Sequence, residues 1–106
     1  MYTKICKINT LTENKPFHIW IDKNEIIVLK KDEKIVVFSG MCPHQGGPLI
    51  KGEISFPYVV CPWHGCKFDL RNGECKDFGS CSGNIKGIKI KLFDHLEKDG
   101  DIFLEL

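Results

Sequence analysis

The chain has 106 residues, which is enough for one buried core and too few for two. Hydrophobic residues make up 42% and charged residues 27%, an ordinary globular balance that excludes a disordered chain. Lysine and arginine total 15 against 14 acidic residues, and a net charge of +1 lacks the basic excess a nucleic-acid binder needs to neutralise phosphates. The unusual feature is six cysteines in 12.1 kDa.

In chain order the pattern is β-rich. The start, Met1-Tyr2-Thr3-Lys4-Ile5-Cys6, holds no apolar run long enough for a signal-peptide core. Phe17, Ile19 and Ile21 alternate with His18 and Trp20, as in a half-buried strand. Asp22-Lys23-Asn24 is a polar turn before Ile26-Ile27-Val28-Leu29. Lys30 to Lys34 is a second turn, and Ile35-Val36-Val37-Phe38 reads as a strand buried on both faces. The segment from Gly40 to Gly83 is loop-like and holds five of the six cysteines. Arg71-Asn72-Gly73-Glu74 carries an Asn-Gly hairpin signal after Lys67–Leu70. Ile88, Ile90 and Leu92 alternate with Lys89 and Lys91, and His95 sits in a polar turn. Lys98-Asp99-Gly100-Asp101 is a turn, and Ile102, Leu104 and Leu106 form a last strand.

No segment keeps a 3.6-residue apolar period. The expected fold is therefore all-β, a small antiparallel sandwich or barrel with a loop region inserted. Residues 1–106 are expected to form a single domain, with its cysteine-rich functional region at about 40–83. There is no internal repeat, no low-complexity tract and no phosphate-binding glycine loop. No stretch approaches the roughly 20 apolar residues that span a bilayer. The expected setting is the cytoplasm, with neither a membrane nor a nucleic acid as partner. There thiols stay reduced, and clustered cysteines bind metal or do redox chemistry more often than they form disulfides.

Two segments carry the chemistry. The first is Cys42-Pro43-His44-Gln45-Gly46-Gly47-Pro48-Leu49, and the second is Cys61-Pro62-Trp63-His64-Gly65-Cys66-Lys67-Phe68-Asp69. Residues 45 to 60 separate the first histidine from the second cysteine, so the pattern is C-x-H, a gap, then C-x-x-H. Each segment offers one soft thiolate and one imidazole. Thiolates suit iron–sulfur centres and zinc, and imidazole suits iron, zinc and copper. The flanking prolines and glycines fix the turns, and the glycines would leave amide N–H groups free to approach sulfur. A structural zinc site is the competing reading. Zinc modules usually pair two cysteines across a short knuckle, whereas each segment here leads with a cysteine and a histidine.

These segments resemble the cluster-binding loops of the Rieske [2Fe–2S] family. The resemblance implies one [2Fe–2S] cluster, with Cys42 and Cys61 on one iron and His44 and His64 on the other. Replacing two cysteines by two histidines raises the potential above that of an all-cysteine ferredoxin. Gln45, Gly46, Gly47, Pro48, Trp63, Gly65, Cys66, Phe68 and Cys81 are expected to rim or support the site. Family members of high potential join their loops by a disulfide, and the two positions concerned hold Gly47 and Trp63 here. Those members also donate serine and tyrosine hydroxyls to sulfur, where this chain has Cys66 and Phe68. Phenylalanine has no donor and a thiol is a weak one.

The resemblance therefore points to a low-potential Rieske-type ferredoxin, near −150 mV, roughly the low end of the family range. Such a chain is expected to be a one-electron carrier rather than an enzyme, and a monomer. Its expected partners are a flavin reductase and a terminal oxygenase. Alternatives are the small subunit of an assimilatory nitrite reductase and, in another class, a zinc-holding interaction module. Cys6 is expected to pack in the first strand and Cys75 in a later one. A Cys75–Cys81 or Cys66–Cys81 disulfide is an open alternative. His18 and His95 are expected to be solvent-facing or hydrogen-bonded rather than ligands.

Overall fold

Ile26, Ile27, Val28 and Leu29 are all fully buried. Successive strand side chains point to opposite faces, so such a run needs cover on both sides. In this computed structural model the cover comes from two separate cores. Ile26 and Val28 pack with Ile5, Cys6, Leu11, Val37, Ile102 and Leu104. Ile27 and Leu29 pack with Phe38, Leu49, Val59, Phe68 and Leu70 on the other face, together with Cys42 and Cys61. The structure describes residues 2–43, 46–63, 65–77 and 88–105.

Eleven strands are described: β1 Tyr2–Lys7, β2 Phe17–Ile21, β3 Asn24–Lys31, β4 Lys34–Ser39, β5 Glu53–Ser55, β6 Tyr58–Val60, β7 Lys67–Asp69, β8 Cys75–Asp77, β9 Leu92–Phe93, β10 His95–Lys98 and β11 Asp101–Glu105. They form three antiparallel sheets, ordered β1-β11-β10, β2-β3-β4-β9 and β5-β6-β7-β8. The second sheet lies between the other two. Two 3₁₀ turns, Ile8–Thr10 and Leu49–Lys51, are the helical elements among the described residues. The all-β antiparallel fold is as expected. No described helix is long and apolar enough to cross a membrane.

The expected hairpins form with matching turn chemistry. Asp32 and Glu33 join β3 to β4 with φ of 51° and 67°. Asp99 and Gly100 join β10 to β11 with φ of 52° and 79°. Two consecutive left-handed residues match the twist of the flanking strands. Asn72-Gly73 also turns as expected. Gly73 has φ of 81°, and its N–H donates to the Asp69 carbonyl at 2.6 Å.

Three expectations need correction. The region from Gly40 to Gly83 is not simply loop: it contains the β5–β8 sheet, whose strands of three residues are too short to show a period. The alternation from Ile88 to Leu92 yields only a bridge between Lys89 and Glu74 and the two-residue β9. There the chain passes from one sheet to another, so neither sheet pairs it for long. His95 stands in β10 rather than a turn, opposite Leu104, with Nε2 2.8 Å from Glu97 Oε2. It is hydrogen-bonded, as expected of a non-ligand.

The end of β7 is held by a charged clamp. Asp69 is buried, while its partner Arg71 is largely exposed. Arg71 donates to both carboxylate oxygens, from Nε to Oδ1 at 2.9 Å and from Nη2 to Oδ2 at 2.8 Å. Its backbone N–H donates to Oδ1 at 2.8 Å. Hydrogen bonding from the Arg71 side chain, opposed in part by burial, holds the Asp69 carboxyl down at about 2. The unfolded value is about 3.9, so the stabilisation is complete above that value and is lost as pH falls through about 2. Urea unfolding of the chain and of Asp69→Asn should therefore show the widest stability gap above about pH 5. The gap should close on acidification toward pH 2; one that is constant from pH 7 to pH 2 would rule this out.

Candidate metal centre

The first sulfur-bearing arm leaves β4 and turns back onto it. Gly40 N–H donates to the Glu25 carbonyl at 2.9 Å, and Leu49 N–H donates to the Gly40 carbonyl at 2.9 Å. Met41 and Pro48 form an antiparallel bridge. Within that frame Cys42 N–H donates to the Gly47 carbonyl at 2.9 Å, and Gly46 N–H donates to the Cys42 carbonyl at 2.8 Å. The second arm runs between β6 and β7. Cys61 N–H donates to the Cys66 carbonyl at 2.9 Å, and Gly65 N–H donates to the Cys61 carbonyl at 3.0 Å.

The two arms thus close by the same pair of backbone bonds, each starting Cys-Pro and carrying glycine four residues after its cysteine. Gly46 and Gly65 take φ of 76° and 74°, a left-handed turn that glycine enters without a Cβ penalty. The sequence reading found no repeat. The shared C-P-x-x-G signal, five residues occurring twice, is what marks it. The glycine amides at these two positions are not free to approach sulfur, because each is used by its own cysteine carbonyl.

Burial follows the loop. Cys42 and Cys61 are 2% and 3% exposed, at the edge of the core beneath β3. Pro43, Gly46, Pro62, Trp63 and Gly65 are exposed at the tips, and Pro48 is half-buried. Both cysteines reach Gly47: Cys42 through the backbone bond, and Cys61 because its Sγ would lie 2.9 Å from a Cβ placed there. His44, Gln45, His64 and Cys81 lie outside the described residues.

Neither Cys42 nor Cys61 is in a disulfide, and the same holds for Cys6 and Cys75. Cys6 packs in β1 as expected. Burial, with the Asp101 carboxylate second, pushes its thiol up and makes it unreactive. Cys75 packs in β8 against the core, so the Cys75–Cys81 alternative falls. Cys66 is itself disulfide-bonded. This corrects its reading as a weak thiol donor, since a disulfide sulfur carries no hydrogen. Phe68 is buried and has no donor either. His18 faces solvent and holds Glu25 Oε2 at 2.8 Å from Nδ1, away from both arms in sequence.

A family model for the Rieske [2Fe-2S] domain matches residues 1–92. The chain belongs to the Rieske [2Fe-2S] domain family. It is 30% identical over 74 residues to human apoptosis-inducing factor 3, covering 70% of this chain and 12% of that protein. It is 23% identical over 74 residues to the ferredoxin component of the alkene monooxygenase system of Xanthobacter autotrophicus, covering 69% of this chain and 61% of that one. The chain therefore spans less than two thirds of the length of either relative. Among solved structures, the Sphingomonas yanoikuyae B1 ferredoxin superposes with a TM-score of 0.83 at 23% identity, over 100% of this chain and 99% of that chain.

A Rieske domain holds one [2Fe–2S] cluster, and the described residues fit one. Two buried thiols hold the same place in two arms that close alike, and Gly47 meets the backbone of one cysteine and the sulfur of the other. Alkylating the denatured, iron-free chain without reductant should modify Cys6, Cys42, Cys61 and Cys75 and leave Cys66 unmodified. Peptide mapping that finds alkylated Cys66 would contradict the bridge.

Proposed function

We propose that this Rieske domain is a one-electron carrier, with Cys42, His44, Cys61 and His64 as the cluster ligands. The observation that carries the reading is the pair of matched arms, whose buried cysteines both meet Gly47, Cys42 through its backbone and Cys61 through its sulfur. The histidines follow their cysteines by two residues in one arm and three in the other, so each arm supplies one ligand of each kind. When bound, the cluster supplies reversible one-electron chemistry. The chain's own residues hold the sulfurs in a dry setting, close the loops on backbone bonds and offer exposed tips.

The proposed partners are a flavin reductase as donor and a terminal oxygenase as acceptor. The ferredoxin component of an alkene monooxygenase system among the relatives supports this, as does the end-to-end match to a free-standing ferredoxin. In this reading the chain acts in the cytoplasm as a monomer and one functional unit, and catalyses nothing by itself.

Cys66 and Phe68 set the potential in this reading. Fewer hydrogen bonds to the cluster sulfurs disfavour the more negative, reduced state. Redox titration should place the midpoint near −150 mV, roughly the low end for Rieske centres, and a value above about +100 mV would overturn the low-potential assignment. Cys42→Ser and Cys61→Ser should each abolish cluster assembly. Either variant retaining the full visible spectrum and a Rieske-type EPR signal after dithionite would refute the ligand set.

A further inference from the structure

Gly47 and Trp63 do something that ligand assignment leaves unexplained. Gly47 is buried, and its φ lies outside the left-handed region, so its backbone conformation is open to any residue. The glycine is needed for space. A Cβ there would meet Cys61 Sγ at 2.9 Å and the Trp63 ring at 3.1 and 3.2 Å. A carbon at 2.9 Å from sulfur is well inside van der Waals contact, and the sulfur belongs to a buried residue with little room to retreat. The same glycine accepts the Cys42 N–H at 2.9 Å. Trp63 lies in the other arm and is 53% exposed, with its inner ring edge on Gly47.

We infer that Gly47 and Trp63 form an inter-arm clasp that sets the spacing of the two cysteine sulfurs. Gly47 is the fixed point, tied to Cys42 by its backbone and in contact with Cys61 through its bare Cα. Trp63 presses on that point from the second arm and shields the gap between the arms from water. Both are positioning residues: neither supplies a ligand atom. The inference rests on Cys42 and Cys61 being the thiolate ligands.

The contrast with Gly46 separates clearance from conformation. Gly46 does have a left-handed φ, and a Cβ on it would meet only the Met41 side chain, at 3.7 and 3.8 Å. An alanine there strains the backbone without touching a ligand sulfur.

The test uses the cluster-loaded full chain. Iron release to an excess of chelator is followed by loss of visible absorbance, with EPR of the reduced protein in parallel. Supporting residues around metal sites typically change metal retention by about 10- to 100-fold. Gly47→Ala and Trp63→Ala should each release iron about 10-fold faster or more, with shifted EPR g-values. Trp63→Phe keeps a flat ring on Gly47 and should stay within about twofold of the parent. Gly100→Ala strains a left-handed turn in the β10–β11 hairpin, outside both arms, and should lower thermal stability while leaving release rate and g-values unchanged. The clasp is refuted if Gly47→Ala and Trp63→Ala match the parent in release rate and g-values. It is also refuted if Trp63→Phe is as impaired as Trp63→Ala. Should Gly47→Ala fail to fold, the two Trp63 variants decide the matter alone. A parent chain that binds no iron would instead overturn the ligand assignment.

Discussion

The burial of β3 on both faces is the constraint on which the rest depends. A strand with consecutive fully buried residues must be covered by a layer on each side, at about 1.5–3 kcal/mol per large apolar side chain buried. One layer is the sheet β1-β11-β10, which closes a purely structural core through Ile102 and Leu104. The other is the arm-bearing subdomain, whose core includes Cys42 and Cys61 beside Ile27, Leu29 and Phe38. The sulfurs are therefore part of the packing that folds the chain. The site's geometry is inherited from that core through short backbone links, such as Gly40 to Glu25 in β3.

The central and C-terminal strands were legible in the sequence because their alternation or continuous apolar run is long enough to count. β2, β3, β4 and β11 each run for five residues or more and end at turns rich in aspartate, lysine or glycine. The β5–β8 sheet was not legible. Its strands are three residues long, shorter than two periods of alternation, and they are paired by tertiary context. His95 misled for a related reason: Asp94-His95 reads as polar, yet β10 is an edge strand that tolerates polar residues on its open side.

The candidate site was legible as a pattern of cysteines and histidines and not as architecture. Cysteine and histidine at fixed spacing need no knowledge of packing, so Cys42 and Cys61 emerge from the chain alone. The equivalence of the arms does not, because the histidine shifts by one place between them and hides the shared C-P-x-x-G frame. The two glycines of the first arm look alike in sequence and differ in cause. Gly46 is required by a left-handed turn, and Gly47 by the sulfur across the gap. The state of Cys66 was the least legible, since a cysteine beside the site reads as a packed side chain or weak donor as readily as a bridge.

An electron carrier gains from a site that changes little when charge arrives. Each arm closes on its own cysteine with two backbone hydrogen bonds, one donated by that residue and one accepted by it. The cysteine backbone is thereby fixed at both polar groups, and burial to 2–3% exposure fixes the side chains against the core. Freedom to move is greatest at exposed loop positions, and Pro43 and Pro62 face solvent there. The prolines limit even that, since each locks φ at the residue directly after Cys42 or Cys61. A loop built this way can present its outer end to a partner while its sulfurs stay where the core put them. The same rigid frame leaves little slack for adjustment, so bare backbone at a point such as Gly47 becomes a requirement of the packing rather than a convenience.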